Sequence, residues 1–249
     1  NLAVQLCRLG KRVLIFDADL GLANVEVMFG AIPKYNLSDM IYRGRSIREI
    51  ITPGPMDIGF ISGGSGIMEM NNLTREQIIY LTRSLSELDE MADFILIDTG
   101  AGIADSVMEF VLASQEILLV STPEPSSLTD SYSLLKALHR NPNFVKNGTR
   151  VNIIANKVTS EEEGKAVFEK LNTVVSRFLN GNINYLGMVP QDTVLERSVR
   201  QQKIVSLHAP KARAAQAYEI LASNLVNDAQ RKYVMKGGIS QFLANFINR

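Results

Sequence analysis

Apolar residues gather in six short runs along the chain: Val13–Phe16, Ile58–Ile61, Phe94–Ile97, Ile117–Val120, Val151–Ile154 and Ile183–Val189. Most are continuous rather than alternating. A strand half open to water alternates, whereas a parallel strand covered on both faces does not. Between the runs the apolar period becomes that of a helix. Thr74–Met91 puts Ile78, Leu81, Leu85 and Leu88 on one face, and Thr74 stands three residues before Gln77, as in a capping box. Ser127–His139, Glu161–Leu179 and Pro210–Val226 have the same helical pattern. Strands alternating with helices predict an α/β fold, a three-layer α/β/α arrangement around a mostly parallel sheet. Right-handed crossovers follow. No internal repeat or low-complexity linker interrupts the pattern, so a single domain over residues 1–236 is expected.

The last residues have a pattern of their own. After Gly237 and Gly238, the apolar residues Ile239, Phe242, Leu243, Phe246 and Ile247 form one helical stripe. Residues 237–249 therefore predict a short amphipathic helix behind a glycine hinge, with Arg231, Lys232 and Lys236 just upstream. Such a helix suits a membrane interface. Packing against the body of the protein is the plain alternative.

Charge sharpens this picture. The 26 basic and 26 acidic residues balance, which disfavours both a wholly basic nucleic-acid binder and an acidic disordered chain. The balance conceals a gradient. Residues 1–150 hold 18 acidic and 13 basic side chains, and residues 151–249 hold 8 and 13. The basic end is either a solvated helical face or a surface that meets an anionic partner. Cys7 is the only cysteine, so no intramolecular disulfide framework exists. His139 and His208 are the only histidines and leave little for a histidine-based metal centre. No apolar run reaches the roughly 18–20 residues of a membrane span, and no secretory signal pattern heads the sequence. The expected location is cytoplasmic, with the tail resting on the cytoplasmic membrane.

Ligands of open parallel sheets bind at the carboxyl ends of the strands. After the first run stand Asp17 and Asp19, two carboxylates two residues apart, with Gly21 behind them. Strand-end capping is the bland account of such a pair. After the third run stand Asp98-Thr99-Gly100-Ala101-Gly102. Four apolar residues ending in Asp form a Walker B pattern, in which the carboxylate holds Mg²⁺, usually through water. The glycines would let backbone amides approach a phosphate. A dinucleotide-binding fingerprint needs Gly or Ala at its last position, where Asp105 stands here. Ser62-Gly63-Gly64-Ser65-Gly66 is not a hydrolase elbow, because Ile67 replaces its final glycine.

Taken in order, these segments resemble the MinD/ParA group of deviant-Walker P-loop ATPases. The resemblance is carried by Leu9–Glu26, Ile61–Ile67, Phe94–Ile103, Thr122–Asp130, Ala155-Asn156-Lys157 and Val189–Asp192, and spans nearly the whole chain. Leu20–Asn24 and Ser62–Gly66 point to the flagellar-number regulators (the FlhG/YlxH branch). The resemblance implies ATP or ADP with Mg²⁺ as ligands. It implies that Asp19 orients the attacking water and that Asp17 lies near the Mg²⁺ shell. Asp98 would hold Mg²⁺, and Gly102 belongs to a switch loop. Asn156 would read the adenine edge, while Pro190 and Asp192 match a loop packed on the purine. Glu124 matches a residue that reaches the nucleotide of a partner subunit, and Asp130 another on the dimer face. The implied partners are a second copy in the ATP state, an SRP-type flagellar GTPase and the flagellar switch ring. The inner membrane surface would be met through residues 239–249, and no specific nucleic acid is expected.

One part of the family pattern has no counterpart in these 249 residues. The phosphate loop should read Lys-Gly-Gly-x-Gly-Lys-Thr or Ser. Gly10-Lys11 is followed by Arg12, and Gly164-Lys165 by Ala166. Asn1–Leu6 has the spacing of the later part of the helix that follows that loop, so the first strand and the loop are expected upstream of Asn1. Without loop amides and lysine, this chain alone is expected to turn over little or no ATP. A non-hydrolysing regulatory scaffold and a ParA- or MinD-type partitioning or division-site ATPase are the rival functions. The architecture shared with the nitrogenase iron protein does not extend to its cluster, which needs about four thiolates.

Overall fold

The computed structural model describes residues 1–19, 24–63, 74, 80, 84, 87–142, 144 and 148–231. Gly21, Gly64–Gly66, most of Thr74–Met91 and the whole of 237–249 lie outside the described residues.

All six apolar runs form strands. They are β1 (Val13–Ala18), β3 (Gly59–Ser62), β4 (Phe94–Thr99), β5 (Glu116–Ser121), β6 (Arg150–Val158) and β7 (Asn184–Pro190). A two-residue piece, β2 (Thr52–Pro53), adds an antiparallel edge to β3. The strands form two sheets, in the orders β2-β3-β1-β4 and β5-β6-β7. Every pairing except β2–β3 is parallel.

Helices hold the two sheets in one layer. On one face, α3 (Leu37–Arg43), α4 (Ile47–Ile50) and α5 (Leu88–Met91) cover the first sheet through Leu37, Met40, Ile50 and Leu88. On the same face, α7 (Pro125–Arg140) and α8 (Glu161–Phe178) cover the second through Leu135, Leu138, Leu171 and Val175. Helix α6 (Asp105–Ala113) serves both: Phe110 and Ala113 enter the first core, and Val111 and Leu112 the second. The opposite face is built the same way. There α1 (Leu2–Arg8) packs on Val13, Phe94 and Leu96 of the first sheet. Helix α11 (Arg213–Arg231) sends Ala222 and Val226 to that core and Leu221 and Leu225 to the core over β6 and β7.

Yet β4 and β5 do not pair, so the layer is split between them. The split shows in burial. β1 is buried along almost its whole length, whereas β4 is only half-buried, and Val120 of β5 is 52% exposed. A parallel strand normally survives only when covered on both faces and paired on both sides.

Helix boundaries follow local chemistry. Asn36 accepts from the amide of Asp39 while the Asp39 carboxylate accepts from the amide of Asn36, a reciprocal cap that starts α3. Ser46 and Glu49 repeat the device at α4. The last helix begins at Arg213 rather than at Pro210, because the Asp192 carboxylate fixes its start by accepting from the Ala214 amide. In β7, Gly187 has φ of 149° beside a register shift, and a Cβ there would stand 2.9 Å from Leu221 Cδ2. Glycine lets α11 approach the strand that closely.

Candidate functional site

Parallel pairing sets Asp17 opposite Asp98 on one side and opposite Ser62 on the other. Side chains alternate along a strand. Val13, Ile15, Phe94 and Leu96 point to the α1 face, so Asp17 and Asp98 continue that face at the carboxyl edge. Asp17 is buried, and it organises the chain beyond β1. Its two oxygens accept from the amides of Asp19 (3.2 Å) and Val25 (3.4 Å), the latter in α2 (Asn24–Phe29). Asp98 stands more open. Its carboxyl is held above the ordinary range, first by burial and then by the charges of Asp17 and Asp19.

Asp19 lies over the backbone of Gly100. A Cβ built on Gly100 would stand 2.9 Å from Asp19 Oδ1. The acidic pair after β1 and the glycine loop after β4 are thus one constellation. Gly102 has φ of 102°, a conformation that side-chain-bearing residues rarely adopt. Gly100 was legible only as part of a glycine-rich loop; its tie to Asp19 had no signal in the sequence.

The second group of predicted residues lies on the other half of the layer. Asn156 is near the carboxyl end of β6, and its Oδ1 accepts from the Lys157 amide at 3.0 Å. Lys157 itself has φ of 56°, at a register shift between Asn156 and Val158. A left-handed non-glycine residue costs of order 1–3 kcal/mol, and such strain clusters at binding sites. Pro190 ends β7 opposite Val158. Asp192 is a brace: its carboxylate accepts from Val194 N at 2.7 Å and Ala214 N at 3.0 Å. Burial opposes its ionisation, but the amides of Ala214, Val194 and Leu195 and the charge of Arg213 hold its pKa below the usual carboxylate range. Its oxygens therefore hold the loop after β7 rather than standing ready for a base. Glu124 occupies the N-cap position of α7, exposed and without a capping bond from its side chain, and Asp130 is exposed nearly two turns further.

The structure brings Asp17, Asp19, Asp98 and Gly100 together, with Gly102 two residues further along the same loop. It leaves Asn156, Pro190 and Asp192 on the same carboxyl edge beyond the split between β4 and β5. Thr122, just past β5 and beside that split, was missed. Its hydroxyl is buried with no hydrogen-bond partner among the described residues. An unpaired buried hydroxyl costs about 1–3 kcal/mol, which marks the position as one a ligand could satisfy. In the sequence it stood only as the first residue of the Thr122–Asp130 stretch, with no role assigned.

Two cavities lie elsewhere. One of about 540 Å³ is lined by Cys7, Lys11, Met56 and Met91, and another of about 410 Å³ by Leu128, Tyr132, Lys170 and Phe178. Neither touches the acidic group. Among the described residues no three His, Cys, Asp or Glu side chains are placed to hold a metal by themselves. A hard divalent cation at Asp98 would draw its remaining ligands from water and phosphate, as Mg²⁺ commonly does. The anionic excess that raises the Asp98 pKa fits such a cation.

Residues 1–205 match the CobQ/CobB/MinD/ParA nucleotide binding domain. The chain belongs to that family. Within it, the MinD/ParA-like protein is 38% identical over 225 residues to the antiactivator FleN of Pseudomonas aeruginosa, covering 90% of this chain and 79% of the relative. It is 30% identical to the flagellum site-determining protein YlxH of Helicobacter pylori, covering 99% of this chain and 83% of that protein. These relatives support the flagellar-regulator branch. The septum site-determining protein MinD of Pyrococcus horikoshii, solved with Mg-ADP, shares the fold at a TM-score of 0.69 and 23% identity. That match covers 94% of this chain and 91% of the other. The fold of this MinD/ParA-like chain is thus that of a P-loop NTPase.

Proposed function

We propose that the protein is a Mg-ATP-driven molecular switch of the MinD type that controls the number or placement of flagella. ATP favours a homodimer that associates with the inner membrane through residues 239–249, and hydrolysis releases it. The observation that carries the nucleotide part is the group of Asp17, Asp19 and Asp98 at neighbouring strand ends, with Gly100 and Gly102 beneath. The flagellar part rests on the names of the relatives. An SRP-type flagellar GTPase and the switch ring are the partners this branch implies.

In this reading Asp98 would hold Mg²⁺, which when bound would neutralise phosphate charge. Asp17 shapes the loop to α2 through its two amide bonds and so places Asp19. Asp19 orients the attacking water, a positioning role that asks geometry rather than basicity of the carboxylate. Gly102 gives the switch loop its left-handed turn. Asn156, fixed by the Lys157 amide, presents its Nδ2 to the adenine edge. Pro190 packs on the purine, and Asp192 holds that loop from behind. Glu124 reaches toward the partner subunit's nucleotide.

Isothermal calorimetry with Mg-ATP and Mg-ADP tests the proposal. The 249-residue chain is expected to bind neither measurably, because it carries no phosphate-loop lysine or glycine cradle. A chain extended before Asn1 by an apolar strand and a Lys-Gly-Gly-x-Gly-Lys-Thr loop is expected to bind both in the micromolar range. Failure of both forms to bind would leave the scaffold reading in its place. In the extended form, Gly100→Ala is expected to push the Asp19 carboxylate aside and lower kcat about 10–100-fold with little change in KM. An unchanged kcat would remove Asp19 from the catalytic role.

A further inference from the structure

The geometry points to a second membrane contact: a rigid basic face, formed by α9 (Thr193–Arg200), the turn after it and the start of α11, which lies on an anionic lipid surface. This rests on the membrane-associated switch proposed above and adds an electrostatic platform to the amphipathic tail.

Between Asp192 and Arg213 the chain carries five basic residues, Arg197, Arg200, Lys203, Lys211 and Arg213, against Asp192 and Glu196. All five are exposed. Among the described residues none of them stands within 4 Å of a carboxylate in an ion pair. Asp192 is already engaged with backbone amides at the starts of α9 and α11. The cationic excess therefore faces water.

The platform is held from beneath. Ser198 is buried under α9, and the amide of Lys203 donates to its carbonyl at 2.8 Å, closing the turn. Ile204 and Val205, at the start of α10 (Val205–His208), are buried, and Asp192 ties both ends together. Arg197 and Arg200 stand one turn apart on the outward side of α9. Val194 and Val199, 39% and 52% exposed, form apolar shoulders beside them.

This shape favours a bilayer over a peptide. Arg197, Arg200, Lys203, Lys211 and Arg213 are all exposed, and neither cavity described above is lined by them. Basic side chains with apolar shoulders suit a headgroup layer, where charge attracts and the valines settle between lipids. The tail offers only two phenylalanines and three aliphatic residues in its stripe. An anchor that short holds weakly alone, and stable attachment takes two signals.

The test is flotation of the full 249-residue chain with vesicles of phosphatidylcholine alone or with 30% phosphatidylglycerol, between 50 and 300 mM NaCl. The expected result is binding to the anionic vesicles only. The triple variant Arg197→Gln, Arg200→Gln, Lys203→Gln should bind them about a hundredfold more weakly at low salt, at about 1 kcal/mol per basic residue near the surface. The gap should narrow as salt rises. Lys165→Gln with Lys170→Gln on α8 should change little. The tail variant Phe242→Glu, Phe246→Glu should retain salt-sensitive binding through the platform. No binding by the unaltered chain would overturn this contact, which needs no nucleotide, while leaving the ATP-dependent membrane association of the switch to a nucleotide-binding form and nucleotide binding to calorimetry. Unchanged binding by the triple variant would overturn this contact alone. If the triple variant loses affinity for a random DNA duplex but not for vesicles, the face reads polynucleotide phosphate and the lipid assignment falls.

Discussion

Asp98→Asn is expected to separate stability from function. In a loop-bearing form of the protein it should weaken Mg-nucleotide binding about 10–100-fold, the usual cost of losing a group that holds a metal through water. The ligand-free fold should become slightly more stable at pH 7. Burial and the charges of Asp17 and Asp19 raise the Asp98 pKa in the folded state. Between the unfolded value near 4 and that higher folded value, the folded protein holds the extra proton. Stability therefore falls as pH rises through this window, and the loss is complete above it. Asn carries no charge and removes the loss. The gain is below about 1 kcal/mol, because the carboxylate is open enough to water for screening to reduce its repulsion. Urea unfolding of both proteins at pH 3.5 and pH 7 measures it. The two curves should differ more at pH 7 than at pH 3.5. A variant less stable at both pH values would show that Asp98 is a structural brace like Asp192.

Phe110→Ala should cost about 3–5 kcal/mol, the usual price of removing a fully buried phenylalanine. Phe110 is 2% exposed, packs on the Phe16 ring at 5.7 Å, and sits on α6. That helix matters more than its nine residues suggest. β4 and β5 are not hydrogen-bonded to one another, so on this face α6 couples the two half-sheets through Phe110 and Ala113 on one side and Val111 and Leu112 on the other. A loss of that size is a large part of the roughly 5–15 kcal/mol that holds a domain folded. The denaturation midpoint should drop accordingly. Phe178→Ala is the control: its ring is 72% exposed, and the change should stay within about 0.5 kcal/mol. A Phe110→Ala loss below about 1 kcal/mol would mean that α6 does not hold the halves together.

Much of this molecule is readable from local pattern. The strands are legible because Val13–Phe16, Phe94–Ile97 and Ile117–Val120 are apolar at every position, as a strand covered on both faces requires, and the other runs are interrupted only by Gly59, Asn152, Asn184 and Gly187. The long helices α7 and α8 are legible from their 3.6-residue period. Helix α6 escaped because Val107, Met108 and Phe110–Ala113 serve two cores, and an element apolar on several sides has no single stripe to detect. Helices α3 and α4 were announced by Asn36 with Asp39 and by Ser46 with Glu49, signals present in the sequence but short enough to pass as turns.

The acidic residues after β1 and β4 were visible as strand-end carboxylates, because that edge is where parallel sheets take ligands. Their convergence was not. It depends on β1 and β4 being neighbours in register, a pairing between residues about eighty positions apart that no local period encodes. The same holds for Asp19 over Gly100 and for Asp192 bonding the start of α11. The split between β4 and β5 is also non-local. By itself, then, the sequence determined the strands, the long helices, the parallel α/β class, the family and the strand-end carboxylates to which the proposed function gives roles, because burial and motif spacing are properties of short segments. Only the tertiary structure decided which strand edges meet, which carboxylates act together and which one merely braces a loop, because those are properties of pairing across the fold.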